Sequence, residues 1–124
     1  MSTLLSVAAG GAIGASARYL LGLGMVRLVG FGFPWGPLMA NVLGCFLMGV
    51  LIELMALRWT VHQDLRAFLA LGVLGGFTTF SSFSADFANL VARNDYLNAG
   101  LYFAASVFIS IAALFAGLAL VRAL

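Results

Sequence analysis

The sequence predicts an all-α membrane protein of four transmembrane helices, and three observations carry that prediction. Asp, Glu, Lys and Arg make up 8% of the 124 residues, against about 25% in soluble domains. Mean hydropathy is +1.13, more apolar surface than a soluble chain of this length buries. The apolar residues also gather into stretches of about 20, the length a helix needs to cross a hydrocarbon core of roughly 30 Å. One domain, residues 1–124, accounts for the whole chain.

The first span runs over about 3–26 and contains Arg18. No basic segment precedes its apolar run, so it reads as a span and not as a cleaved signal peptide. The Gly- and Pro-rich GFGFPWGP (30–37) ends it, and the second span follows at about 37–57. ALRWTVHQDLR (56–66) is a polar connector. The third span covers about 67–91, ARNDYLN (92–98) is a short turn, and an uncharged fourth span occupies about 96–121. No soluble domain is left over.

The loop charges nearly cancel. With four spans, both termini and the 58–66 connector share one side, which carries Arg58, Arg66 and Arg122. The other side carries Arg27 and Arg93, so the positive-inside bias that fixes orientation is close to nil. Such a chain inserts both ways, and the expectation is an antiparallel, dual-topology homodimer. Small residues four apart (Gly10 with Gly14, Ala40 with Gly44, Gly72 with Gly76) let backbones approach closely in lipid, within one chain or between copies.

Several classes of function are excluded. The six Arg are too scattered for a nucleic-acid footprint. Cys45 is the only cysteine, so it has no disulfide partner in the chain and reads as a small packing residue. His62 stands in a connector without companions for a metal site, no Ser is paired with a base, and GGAIG is too degenerate for a nucleotide fingerprint. The chain is not read as an enzyme.

Polar groups within the spans are the candidates for function. Arg18 either snorkels to an interface or faces a watery vestibule. Glu53, near the end of the second span, reads as a snorkelling residue. Asn41 offers amide donors either as interhelical glue or to a pore. Asn98, Tyr102, Ser106 and Ser110 recur every four residues and form one polar stripe on the fourth span.

The most informative stretch is GVLGGFTTFSSFSAD (72–86). Its glycines are poor helix formers, and the expectation is a third helix broken near its middle. Unwound backbone at membrane depth survives only where protein or a water-filled cavity covers it. Carbonyls freed there are ligands for a hard cation. Beyond the break, Phe80 and Phe83 lie one turn apart among the hydroxyls of Ser81 and Ser84. Ring edges carry partial positive charge, so edges, hydroxyls and the Asn41 amide together suit a small anion.

These residues resemble the Fluc family, the CrcB-type bacterial fluoride channels. The resemblance rests on GGAIGASARY (10–19), the asparagine of GPLMANVLG (36–44) and GGFTTFSSFS (75–84), and it extends over essentially the whole chain. It implies an antiparallel homodimer in the bacterial inner membrane, with two pores that passively export fluoride from the cytoplasm. It also implies a structural Na⁺ at the dimer centre, held here by the carbonyls of Gly75 and Thr78. Phe80, Phe83 and Asn41 correspond to pore residues, Arg18 to the first-span arginine, and Tyr102 and Ser110 to polar fourth-span positions. The competing class is a small dual-topology, proton-coupled multidrug exporter. That mechanism wants a carboxylate in mid-span, whereas Glu53 and Asp86 sit towards span ends.

Overall fold

The computed structural model describes residues 2–30, 33–57 and 60–124. Arg58 of the loop-charge comparison, and residues 31, 32 and 59 of the two predicted connectors, lie outside them. The regular structure is helical throughout the described residues. Four helices are long and apolar enough to cross a membrane: α1 (Ser2–Val29), α2 (Trp35–Leu57), α3 (Gln63–Ala92) and α4 (Tyr96–Ala123). Each outlasts the apolar stretch that predicts it. At 1.5 Å per residue, the 28 residues of α1 span about 42 Å, so its end turns stand beyond a roughly 30 Å core.

Local chemistry explains the ends. α1 stops at Gly30, whose φ of +83° only glycine adopts freely, and its N–H closes on Val26 O at 2.9 Å. Pro37 sits in the first turn of α2, where its missing N–H has no intrahelical partner to lose. The imidazole of His62 caps α3, accepting from the N–H of Asp64 at 3.1 Å. Asn94, in the left-handed region at φ 60°, turns the chain from α3 into α4; its N–H reaches Val91 O and the next N–H reaches Leu90 O.

Two polar ties mark one end of the bundle. Ser2 and Thr3 donate to the Asp64 carboxylate at 2.6 and 2.5 Å, joining the start of α1 to the start of α3. Arg122 pairs with Glu53 at 3.1 Å, joining the end of α4 to the end of α2. Glu53 is therefore buried and paired, not snorkelling as its position predicts. A cation on the last turn of α4 reaches it more readily than bulk water does.

Two glycine crossings hold the helices together. A Cβ on Gly72 would lie 2.8 Å from Gly10 Cα, and one on Gly76 would lie 2.8 Å from Gly11 O. On the other side, Gly49 meets the backbone of Leu114 and Gly117 meets that of Phe46, so α2 and α4 cross equally closely. The pairs Gly10–Gly14 and Gly72–Gly76 thus pack against each other within one chain. The buried apolar cluster comprises Leu38, Phe83, Leu90, Ala99 and Tyr102, with Phe33, Val42, Phe87 and Ala105 packed around it.

Candidate functional site

Within α3, helical structure runs as far as Phe77, Thr78 and Thr79 take extended dihedrals, and helix resumes at Phe80. In a continuous helix, the N–H groups of Thr79, Phe80 and Ser82 would close onto the carbonyls of Gly75, Gly76 and Thr78. Thr79 N–H instead donates to Asn41 Oδ1 at 2.9 Å, and Ser82 N–H to Thr79 Oγ1 at 3.2 Å. Gly76 O receives Arg18 Nε at 3.2 Å. The carbonyls of Gly75 and Thr78 are thereby deprived of their helical donors.

Side chains from both neighbouring helices secure this stretch. From α2, Asn41 makes a two-point contact with one residue's backbone, accepting from Thr79 N–H while its Nδ2 donates to Thr79 O at 3.2 Å. One N–H of the amide stays uncommitted by these two bonds. From α1, Arg18 reaches Gly76 O and also Ser82 Oγ, the latter at 3.4 Å. The Thr78 hydroxyl bonds back to Leu74 O, as mid-membrane hydroxyls often do.

Two clefts flank the interruption, and Thr79 lines both. The larger, about 880 Å³, lies between α1, the start of α2 and the later part of α3, with Arg18, Ser82, Asp86, Asn89 and Arg93 as its polar lining. The smaller, about 490 Å³, is lined by Asn41, Cys45, Gly75, Thr78, Thr79, Phe80, Phe83, Ser106 and Ser110. Ser106 and Ser110 are more than nine-tenths buried, and among the described residues no group lies within hydrogen-bonding geometry of their hydroxyls. A buried hydroxyl without a protein partner is costly, and both of these hydroxyl-bearing residues line the smaller cleft.

The smaller cleft therefore gathers Asn41, Gly75, Thr78, Phe80, Phe83 and Ser110 from the sequence-predicted set. The rings of Phe80 and Phe83 are tilted by 50° with centroids 5.3 Å apart. Phe83 is buried against Tyr102, while Phe80 is 76% exposed. Ser81 and Ser84 are exposed and are not among its lining residues; Ser81 Oγ lies 3.1 Å from Thr79 Oγ1. Tyr102 is fully buried in the core and donates to Asp86 Oδ2 at 3.4 Å. Arg18 belongs to the larger cleft.

Five residues of the smaller cleft fall outside the predicted set: Thr79, Ser106 and Cys45, and the apolar Val107 and Ile111. The four-residue polar stripe on α4 signals Ser106, because Ser106 and Ser110 follow Tyr102 at that spacing. Ser106 lies within, and Ser110 directly after, a stretch where α4 widens into π-helical turns (Ala105–Ile109), a local feature common at functional positions. Cys45 follows Asn41 by one turn and shares its face. Thr79 carries no sequence signal beyond its neighbours.

The donor chemistry separates into two kinds. Among the described residues no three His, Cys, Asp or Glu side chains converge. The carbonyls of Gly75 and Thr78 are oxygens of the hard type that would suit an alkali cation. The cleft beside them offers N–H and O–H donors and ring edges, and no formal charge.

The family model described as CrcB-like protein, Camphor Resistance (CrcB), matches residues 5–118. A protein of Rhodospirillum centenum named fluoride-specific ion channel FluC is 54% identical over 122 residues, covering 98% of this chain and 97% of its own. One of Rhizobium etli with the same name is 51% identical over 124 residues, covering 100% and 99%. One of Nitrobacter hamburgensis, named fluoride-specific ion channel FluC 1, is 49% identical over 121 residues, covering 98% and 96%.

Proposed function

The chain belongs to the CrcB family, and from that premise we propose that it is a fluoride-selective channel, passively exporting the ion from the cytoplasm across the cell's inner membrane. The observation that carries this reading is the pair of buried, unpartnered hydroxyls of Ser106 and Ser110 in the cleft that also holds Asn41, Phe80 and Phe83. Fluoride is small and strongly hydrated, so a pathway must offer close donors in place of its water. Two hydroxyls, the uncommitted Asn41 N–H and the ring edges supply such donors without a fixed cation that would trap the ion. Conduction, not catalysis, is the chemistry such a lining supports.

The working unit in this reading is an antiparallel homodimer. Phe80, Ser81, Ser84 and Gly75 are exposed on a helix of membrane-spanning length. Hydroxyls and peptide groups facing hydrocarbon are unfavourable, and a second copy against this face removes them from lipid and completes the cleft. The balanced loop charges favour opposite orientations of the two copies. A structural Na⁺ on the carbonyls of Gly75 and Thr78 would neutralise two backbone oxygens that have lost their helical donors.

The exporter alternative finds no support. It needs a carboxylate free to exchange protons in mid-span, whereas Glu53 is tied to Arg122 and Asp86 accepts from Tyr102. The test is ion-selective efflux from liposomes reconstituted with the purified protein. Rapid fluoride efflux with negligible chloride efflux is the expected result; equal efflux of both, or none of either, overturns the reading.

A further inference from the structure

We infer that Arg18 is a positioning residue, a strap from α1 that holds the two parts of α3 in register across the interruption at Thr78–Thr79. Its guanidinium makes contacts on both sides of that point. Nε donates to Gly76 O at 3.2 Å, in the last turn before the extended residues. Nη1 lies 3.4 Å from Ser82 Oγ, in the first turn after them. A planar fork with several donors makes such a bridge, where a single ammonium makes only one strong contact at a time.

The bridge answers two physical needs at once. Gly76 O has no helical donor, because the residue four positions on begins the next helical segment after two extended residues. The C-terminal end of a helix also carries partial negative charge, which a cation stabilises. Arg18 is itself half-buried in a membrane-length helix, and the ion pairs formed among the described residues do not include it. The freed carbonyl and the unpaired cation satisfy each other.

The strap works opposite Asn41. Asn41 grips Thr79 from α2 on the side of the smaller cleft, and Arg18 grips Gly76 and Ser82 from α1 on the side of the larger one. Thr79, which lines both clefts, is thus fixed between two clamps. The three guanidinium N–H groups left after these two bonds remain available to the larger cleft. Attraction of anions there is a separate property, and the strap does not require it.

Its effect on transport rests on the channel reading; its effect on α3 does not, and the experiment separates them. Arg18→Ala and Arg18→Lys are reconstituted in liposomes, and backbone hydrogen exchange over residues 76–82 is followed beside fluoride efflux. The strap predicts exchange faster by about tenfold in both variants, the scale of one lost hydrogen bond to a charged donor, with no change elsewhere in α1. It predicts a lower maximal efflux at unchanged half-saturating fluoride. Millimolar guanidinium restores protection and efflux to Arg18→Ala, while methylammonium, which returns charge without the fork, does not. Wild-type exchange in either variant, equal rescue by methylammonium, or a raised half-saturation at unchanged maximal efflux overturns the strap. If wild-type liposomes show no fluoride efflux, the channel reading fails and the exchange measurements still decide the strap.

Discussion

The two parts of α3 have similar length and opposite surroundings. The earlier part, up to Phe77, lies backbone to backbone on α1, with Gly72 on Gly10 and Gly76 on Gly11. The later part, from Phe80, sets only Phe83 and Leu90 into the core and leaves Phe80, Ser81 and Ser84 exposed. Glycine serves the first part by removing side chains so that dispersion contacts accumulate, the main attraction between helices in lipid. The second part trades packing for accessible hydroxyls and rings. One continuous apolar stretch thus contains an anchor and a working surface, divided where the backbone leaves helical geometry.

The sharpest way to break that contrast is to put the same side chain on either side of it. Gly72→Val drives carbon into the backbone of Gly10 and Val7, at 2.8 and 3.0 Å from the Cβ alone. Neither neighbour is a flexible side chain, so the helices must separate, at about 3 kcal/mol. Gly75→Val, three residues on, meets only Ala70 O at 3.4 Å. Its protomer should unfold within about 1 kcal/mol of wild type, while its dimer weakens if a second copy and a cation occupy that face. Reversible unfolding in mixed detergent micelles, with crosslinking to count copies, reads both. Equal stability of the two variants would erase the division.

Asn41→Ala probes the join between the parts. The amide occupies both the N–H and the C=O of Thr79, and Ala leaves both polar groups without partners. The expected loss is about 2 kcal/mol, seen in the same unfolding measurement. Interhelical hydrogen bonds in membranes average only about 0.6 kcal/mol when their groups find substitutes. A loss that small would mean water or another side chain replaces the amide at Thr79.

What the sequence discloses and what it hides follow from the range of the interactions. Hydropathy is summed along the chain, so the four spans are legible, and the ends differ by a few residues because helices continue past their apolar cores. The glycines and hydroxyls of 75–84 mark the stretch in which Thr78 and Thr79 leave helical dihedrals, because each is locally a poor choice for a helix in lipid. Partnerships are another matter. Arg18 meets Gly76 across 58 positions, Asn41 meets Thr79 across 38, and Arg122 reaches back to Glu53. No local pattern encodes those distances. The missing partners of Ser106 and Ser110 are equally invisible, since a hydroxyl bonded back to its own helix has the same sequence as one held free.

Phe80→Ile tests the working surface with little effect on the anchor. Phe80 is 76% exposed in the protomer, so protomer stability should change by no more than about 0.5 kcal/mol. Fluoride efflux should fall steeply, because Ile keeps bulk near Phe83 but has no ring edge to present to an anion. Wild-type efflux from Phe80→Ile liposomes would remove the ring from the pathway.

Ser110→Ala carries the smallest expected effect on stability and the sharpest separation of folding from function. A buried serine that hydrogen-bonds within the protein loses stability when truncated, by about 1 kcal/mol. Ser110 Oγ has no such partner, so replacing it removes an unsatisfied polar group, and the protein should unfold at the same denaturant activity or a slightly higher one. Efflux should nonetheless fall, because a donor that replaces the hydration of the ion is gone. Ser106→Ala should behave alike, and the double variant should lose more transport than either alone without losing stability. If Ser110→Ala destabilises the protein, its hydroxyl already has a partner and the cleft loses its strongest mark as a binding site. If it leaves both stability and efflux unchanged, the later part of α3 faces a different pathway from the one α4 lines.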